Sequence, residues 1–184
     1  SLANTVNLYS LPTVFTSQIK KYRDSFIIVN SPVESKLFDA GLNETDENLE
    51  KAIKELDFVF VPSPSQLAHI VSIENIPLAN VQKGIKRIID ACLRLNKVAI
   101  AVSDGYYLDE WHQYARRIYT GTTLLGGGSH RLASYSKGTL PDNHLRNTKE
   151  MLNEFAFLKE KKLIEDLVIN NTYKFADAID NGLA

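Results

Sequence analysis

The sequence predicts an α/β fold: a three-layer arrangement in which a mostly parallel sheet is flanked by helices, followed by a helical C-terminal region. Three observations predict it. Residues 25–29 (SFIIV), 58–61 (FVFV) and Val98–Val102 (VAIAV) are short apolar runs without polar alternation, as expected of strands covered on both faces. The segments between them carry helical periodicity instead. Strands that alternate with helices imply right-handed crossovers and a common strand direction.

Each element can be justified in turn. Residues 5–9 (TVNLY) read as an edge strand that Pro12 interrupts, and residues 13–22 as a short helix ending in the basic run Lys20, Lys21 and Arg23, a solvated face. The 25–29 strand ends on Asn30-Ser31-Pro32, and a polar connection follows. Thr45 or Asn43 then caps a helix with Asp46 and Glu47 in its first turn, where negative charge complements the dipole. Its stripe is Leu49, Ala52, Ile53 and Leu56. Pro62-Ser63-Pro64-Ser65 stops the second strand, and residues 66–71 suit a short helix. Asn80 is expected to cap a longer helix with the stripe Val81, Ile85, Ile88, Ile89, Cys92 and Leu95. Gly84 inside it costs about 1 kcal/mol against alanine. The third strand breaks on Ser103-Asp104-Gly105, where Ser103 or Asp104 is expected to cap the next helix. That helix should bury Leu108, Trp111, Ala115 and Ile118 on one face.

These boundaries divide the chain, read as one domain over 1–184, into a βαβ core at 24–120, a Gly-rich loop at 121–142 and a helical region at 143–184. The last contains Leu145, Leu152, Phe155, Leu163, Ile164, Leu167 and Val168, expected to form a small cap or a surface that mates with another chain.

Composition narrows the function. With 21 basic and 22 acidic residues the formal net charge is −1, so nothing advertises global attraction to nucleic acid or anionic lipid. A single cysteine, Cys92, excludes an internal disulfide framework and lies on an apolar stripe as a small core residue. No signal-peptide region and no apolar run of about 20 residues is evident, so the expectation is a soluble cytoplasmic protein without membrane association.

Polar residues gather where the strands should end: Asn30 and Ser31, Ser63 and Ser65, Ser103 and Asp104. In open parallel sheets a ligand crevice lies outside those ends, with N–H donors from the first turns of the helices. Three of the four histidines, His112, His130 and His144, fall near Asp104, Asp109, Glu110 and Asp142, a mixture suited to a divalent metal or to acid–base chemistry. Asp109 and His112, three apart on a helix, could face one ligand. His69, among apolar neighbours, reads as a core histidine. The run from Thr120 to Arg131 is the most phosphate-like: its glycines admit backbone N–H groups, Thr122 and Thr123 add hydroxyls, and His130 and Arg131 add donors, Arg131 with a bidentate fork. Tyr106, Tyr107, Trp111, Tyr114 and Tyr119 cluster beside Arg116 and Arg117, which suits a nucleobase or single-stranded nucleic acid, a protein interface, or core packing.

The segment VAIAVSDGYYLDEWHQYARR, about twenty residues, resembles the strand, serine and Glu-Trp helix of PIN-like nucleases. That resemblance implies a divalent metal held by an aspartate at the end of the first strand, where Asn30 or Ser63 stands here. The same segment is similar to the strand-helix of TIR domains, and TGTTL at 120–124 is similar to the phosphoribosyltransferase loop.

The function expected from these features is hydrolysis or group transfer on a phosphate-bearing ligand, a nucleotide or nucleic acid, at the carboxyl ends of the strands. Asp104, Asp109 and His112 would carry the chemistry, and Asn30, Ser31, Ser63, Ser65, Ser103, Thr122, Thr123, His130 and Arg131 would hold the ligand; the residues name no cofactor, a divalent metal being one candidate with no ligand set assigned. The alternative is a non-catalytic protein that forms homo-oligomers or binds a protein partner through its aromatic helix and C-terminal helices.

Overall fold

Two parallel strands lie at the centre, β1 (Phe58–Pro62) and β2 (Val98–Val102), in register from Phe58 opposite Val98 to Pro62 opposite Val102. The computed structural model describes residues 16–32, 36–73, 75–123, 126–130, 132–133 and 139–179. The expected strand at 5–9, Pro12 and Arg131 lie outside them.

The chain enters through α1 (Thr16–Ile19) and a 3-10 segment, Lys20–Ser25. Arg23, expected on a solvated face, is instead fork-paired: its Nη1 and Nη2 donate to Asp57 Oδ2 and Oδ1 at 2.8 and 2.6 Å. The Arg23 hydrogen bond holds the Asp57 carboxyl below its ordinary range, against the opposing effect of burial.

The expected 25–29 strand contracts to a single parallel bridge, Val29 with Phe58. Side chains take the ladder positions that a third strand would fill. Asp57 Oδ2 accepts from Ile28 N–H at 2.7 Å, and Asp57 N–H donates to Ile28 O at 2.8 Å. Asn30 Oδ1 accepts from Phe60 N–H at 2.8 Å while its Nδ2 donates to Phe60 O at 2.9 Å. The Asn30 amide thus imitates a peptide group and satisfies the edge of β1.

Helix α2 (Lys36–Asn43) occupies what reads in the sequence as a polar connection, and buries Leu37, Phe38, Ala40 and Gly41. Helix α3 (Asp46–Lys54) follows, capped by Thr45, whose Oγ1 accepts from Asn48 N–H at 3.4 Å. Leu49 and Ile53 of its stripe are fully buried. After β1 come a 3-10 turn, Pro64–Leu67, and α4 (Ala68–Ile73).

The longest helix, α5 (Leu78–Arg94), starts after Pro77 and not at Asn80. Proline pre-sets the entry conformation, and its carbonyl accepts from the N–H groups of Asn80 and Val81 at 2.8 and 3.3 Å, so no side-chain cap forms. Val81, Ile85, Ile88, Ile89 and Cys92 are buried as the stripe requires, and burial pushes the Cys92 thiol up to about 12. Gly84 has a packing reason: a Cβ there would sit 2.7 Å from Leu42 Cδ2, and one on Gly41 would sit 2.8 Å from Ile88. The two glycines let α2 and α5 approach closely.

Beyond β2 lie a 3-10 turn, Glu110–His112, and α6 (Gln113–Gly121). The C-terminal elements are α7 (Thr148–Glu154), a 3-10 turn Ala156–Leu158, α8 (Lys161–Glu165), a π-helical turn Asp166–Asn170, and α9 (Asn171–Ala178). They complete the core, with Phe155, Leu158 and Leu167 buried in the same cluster as Val59, Val61 and Ile85. Asn171 Nδ2 donates to Ala99 O at 2.8 Å, and Phe175 packs edge-on against Phe58 and Phe60 at 5.1 and 5.4 Å. Alternate residues of β1 therefore face opposite helical layers, the three-layer α/β arrangement. Each fully buried Leu, Ile, Val or Phe contributes about 1.5–3 kcal/mol to holding it. Among the described residues no helix is long and apolar enough to cross a membrane.

Candidate functional site

The carboxyl ends of β1 and β2 are bridged by one guanidinium. The segment 139–147 has little regular structure, but it is pinned at both sides. Asp142 N–H donates to Ser65 O at 3.1 Å, while Tyr107 and His144 form a parallel bridge flanked by Tyr106 N–H to Asn143 O at 2.9 Å and Leu145 N–H to Tyr107 O at 2.8 Å. Asn147 then caps α7: its Oδ1 accepts from Glu150 N–H at 3.0 Å and Glu150 Oε2 accepts from Asn147 N–H at 2.8 Å.

These anchors place Arg146, whose side chain is 1% exposed, between the strand ends. Its Nη1 donates to Ser103 Oγ at 2.7 Å, and its Nη2 donates to Ser65 Oγ at 2.6 Å and to Asp142 O at 3.0 Å. Asp142 Oδ2 stands 3.0 Å from Nη2 as counter-ion. Ser65 passes the network on, since its N–H and Oγ both donate to Glu154 Oε2, at 3.0 and 2.9 Å. His144 is buried beside it with Nδ1 2.8 Å from Asp142 Oδ1, a contact that puts the ring proton on Nδ1 because an ionised carboxylate only accepts. Its Nε2 faces Glu150 Oε2 at 3.7 Å. Burial raises the Asp142 carboxyl, but the His144 hydrogen bond and the Arg146 charge outweigh it and hold it below the ordinary carboxylate range. Tyr107 is pushed up, chiefly by burial.

Of the residues expected to form the site, Ser65 and Ser103 meet through Arg146, and Asp142 and His144 join them. Ser63 is fully buried, and among the described residues its Oγ has no hydrogen-bond partner. Asn30 lines a cavity of about 440 Å³ with Ile19, Arg23, Leu37 and Leu56, whereas Ser65 lines one of about 580 Å³ with Pro64, Ala68, Thr139 and Glu154. Among the described residues the two cavities share no lining residue. Ser31 and Asp104 are exposed. Asn30 gives both amide atoms to Phe60, so neither it nor buried Ser63 is placed to hold the metal that the nuclease resemblance implies. Among the described residues no group of three His, Cys, Asp or Glu could hold a metal ion. Arg146 and Glu154 were not foreseen, and Tyr107 was foreseen only as part of the aromatic cluster; the polar run Asp142-Asn143-His144-Leu145-Arg146 is the signal that marks Arg146.

The second feature is an open face. The 3-10 turn before α6 is capped by Asp109, not by Ser103 or Asp104, because three further residues and the Tyr107 bridge intervene. Asp109 and His112 face each other: His112 Nδ1 accepts from Asp109 N–H at 3.1 Å and lies 3.7 Å from Asp109 Oδ2. The stripe expected to be buried points outward. Trp111 is 72% exposed, Leu108 68% and Ile118 52%, with Tyr114 at 71% beside them. The 139–147 segment takes the place on the strand ends that this helix would need.

Trp111 stacks on His112, ring centroids 3.7 Å apart at 30°. The Arg116 guanidinium lies 4.2 Å over the Tyr106 ring and 5.7 Å from that of Tyr119, and Tyr119 meets His130 edge-on at 5.5 Å. His130 reaches Tyr119 because Thr123 bridges Ser129 around Gly126 and Gly127, whose φ values of +98° and +87° call for glycine. Thr122 Oγ1 donates to Tyr119 O at 2.9 Å, closing α6.

No protein-family model matches the chain. Curated proteins are similar to it along nearly all its length. The DNA polymerase III PolC-type of Mycoplasma pneumoniae is 35% identical over 178 residues, 96% of this chain. That of Ureaplasma parvum is 35% identical over 170 residues, 92% of the chain, and that of Bacillus subtilis 29% over 185 residues, 98% of the chain. Its relatives are PolC-type DNA polymerases. The chain spans 12% of the length of each. Both the Arg146 network and the open aromatic face fall inside the stretch shared with the PolC-type relatives.

Proposed function

We propose that the chain is a nucleic-acid-acting module of a PolC-type DNA polymerase, and that it holds DNA through its open aromatic face. The observation that carries this reading is Arg116. Its guanidinium carbon lies 4.2 Å from the centre of the Tyr106 ring and 5.7 Å from that of Tyr119, both rings more than half exposed, and its buried Nε has no hydrogen-bond partner among the described residues. Cation and aromatic rings presented together suit an anionic backbone with stacked bases. The similarity to PolC-type DNA polymerases over 96% of the chain supports the same ligand.

Phosphate-ester hydrolysis or transfer falls within this reading, with Asp104 as an exposed carboxylate two residues before Tyr106; Asp109 and His112 are engaged with each other. A second reading, a protein-docking surface, is favoured by Leu108 and Leu145, both exposed and apolar.

The test is fluorescence anisotropy of a labelled oligonucleotide titrated with the chain at two salt concentrations. Binding that weakens with salt, by a log–log slope of roughly −0.7 per neutralised phosphate, is expected. Absence of binding at low salt would overturn the reading.

A further inference from the structure

Resting on that reading, we propose that the row Tyr106–Arg116–Tyr119–His130, together with the Trp111–His112 stack, is a base-stacking platform selective for single-stranded DNA. The row is continuous, with steps of 4.2, 5.7 and 5.5 Å. Tyr106, Trp111, Tyr114 and Tyr119 all stand more than half exposed. Stacking requires bare base faces, which a duplex hides and a single strand offers at every nucleotide. Asp109 and Glu110, both exposed, stand at the amino-terminal end of the same helical segment. They repel phosphate there and confine the backbone to the Arg116 end. Leucine or isoleucine alone would serve a protein partner; a guanidinium set against two exposed rings serves a base and its phosphate.

Trp111 is the only tryptophan, so the platform carries its own reporter. A homopyrimidine oligonucleotide is titrated into the chain while Trp111 emission and the anisotropy of the labelled DNA are read together. The expected result is quenching that tracks the anisotropy with the same midpoint, and a duplex of equal length that competes at least about tenfold more weakly. Trp111→Ala and Tyr106→Ala should each weaken binding about 5- to 100-fold, the range for losing one stacked base. Trp111→Phe, which keeps a stacking ring, should bind nearly as wild type. Arg116→Ala should weaken binding and flatten the salt slope by roughly 0.7. Anisotropy that rises with no change in Trp111 emission and no effect of the ring variants would overturn the platform while leaving DNA binding standing. Equal binding of duplex and single strand would overturn it as well, as would the absence of any anisotropy change, which removes both readings. A covered face, with Trp111 already quenched and blue-shifted by a second protein chain, also counts against the platform.

Discussion

The rim around Arg146 and the face around Trp111 share one stretch of chain, yet they treat polar and apolar side chains in opposite ways. At the rim, Ser65, Ser103, Asp142 and His144 are drawn inward onto a guanidinium that solvent scarcely reaches. On the face, Leu108, Trp111 and Ile118 are turned out. The difference follows from who covers the strand ends. Once segment 139–147 occupies them, polar groups there can be satisfied inside, and the helix that follows β2 loses the surface it would have buried. Polarity alone does not decide exposure; the availability of a partner does.

Removing the partner at the rim should therefore have the largest effect. Arg146→Met leaves Asp142 and Glu154 facing each other's neighbourhood without their cation and strips Ser65 and Ser103 of a donor. A loss of about 3–5 kcal/mol is expected in urea unfolding, the range for breaking one side of a buried ion pair. Arg116→Met on the face should change the urea midpoint by no more than about 0.5 kcal/mol equivalent. Comparable losses from the two would erase the contrast.

Asn30 tests whether a satisfied edge behaves like the rim. Asn30→Ala removes two hydrogen bonds to the Phe60 backbone and leaves that peptide unpaired, with an expected loss of about 1–3 kcal/mol. Asn30→Asp restores the acceptor but not the donor, and should fall between.

The layers and most elements were legible in the sequence because they depend on local periodicity. The 58–61 and Val98–Val102 runs became β1 and β2, Thr45 caps α3, and the α5 stripe is buried from Val81 to Cys92, with Leu95 partly buried at the C-cap. What could not be read locally was long-range pairing. The 25–29 run has a strand's composition, but Asp57 and Asn30, 29 and 30 positions from their backbone partners, replace its ladder. Helix α2 was hidden because its four buried positions are adjacent pairs and not a long stripe. At the site, the residue types were right at Ser65 and Ser103, but the group they bind comes from position 146, 81 and 43 residues away.

A smaller, pH-dependent effect separates the two regions again. The folded Asp142 carboxyl is held below its unfolded value, so its contribution to stability is complete above the ordinary carboxylate pKa of about 3.9 and is lost as pH falls through the lower folded value. The urea midpoint should drop as pH falls below about 4, and Asp142→Asn should flatten that slope. Asp57, depressed by Arg23, contributes a parallel loss that Asp57→Asn isolates.

The smallest expected effect is the most discriminating. Trp111 is the largest side chain in the sequence, and burying such a ring normally makes its truncation cost about 3–5 kcal/mol. Here the ring is 72% exposed and touches His112 face to face. Trp111→Ala should accordingly shift the urea midpoint by about 0.5 kcal/mol equivalent or less. A loss of several kcal/mol in the isolated chain would mean that the helix buries its stripe after all, and that the strand ends are open to ligand. If stability is unchanged, the large aromatic at this position is there for a contact outside the fold, because an exposed ring of that size contributes nothing else to the chain that carries it.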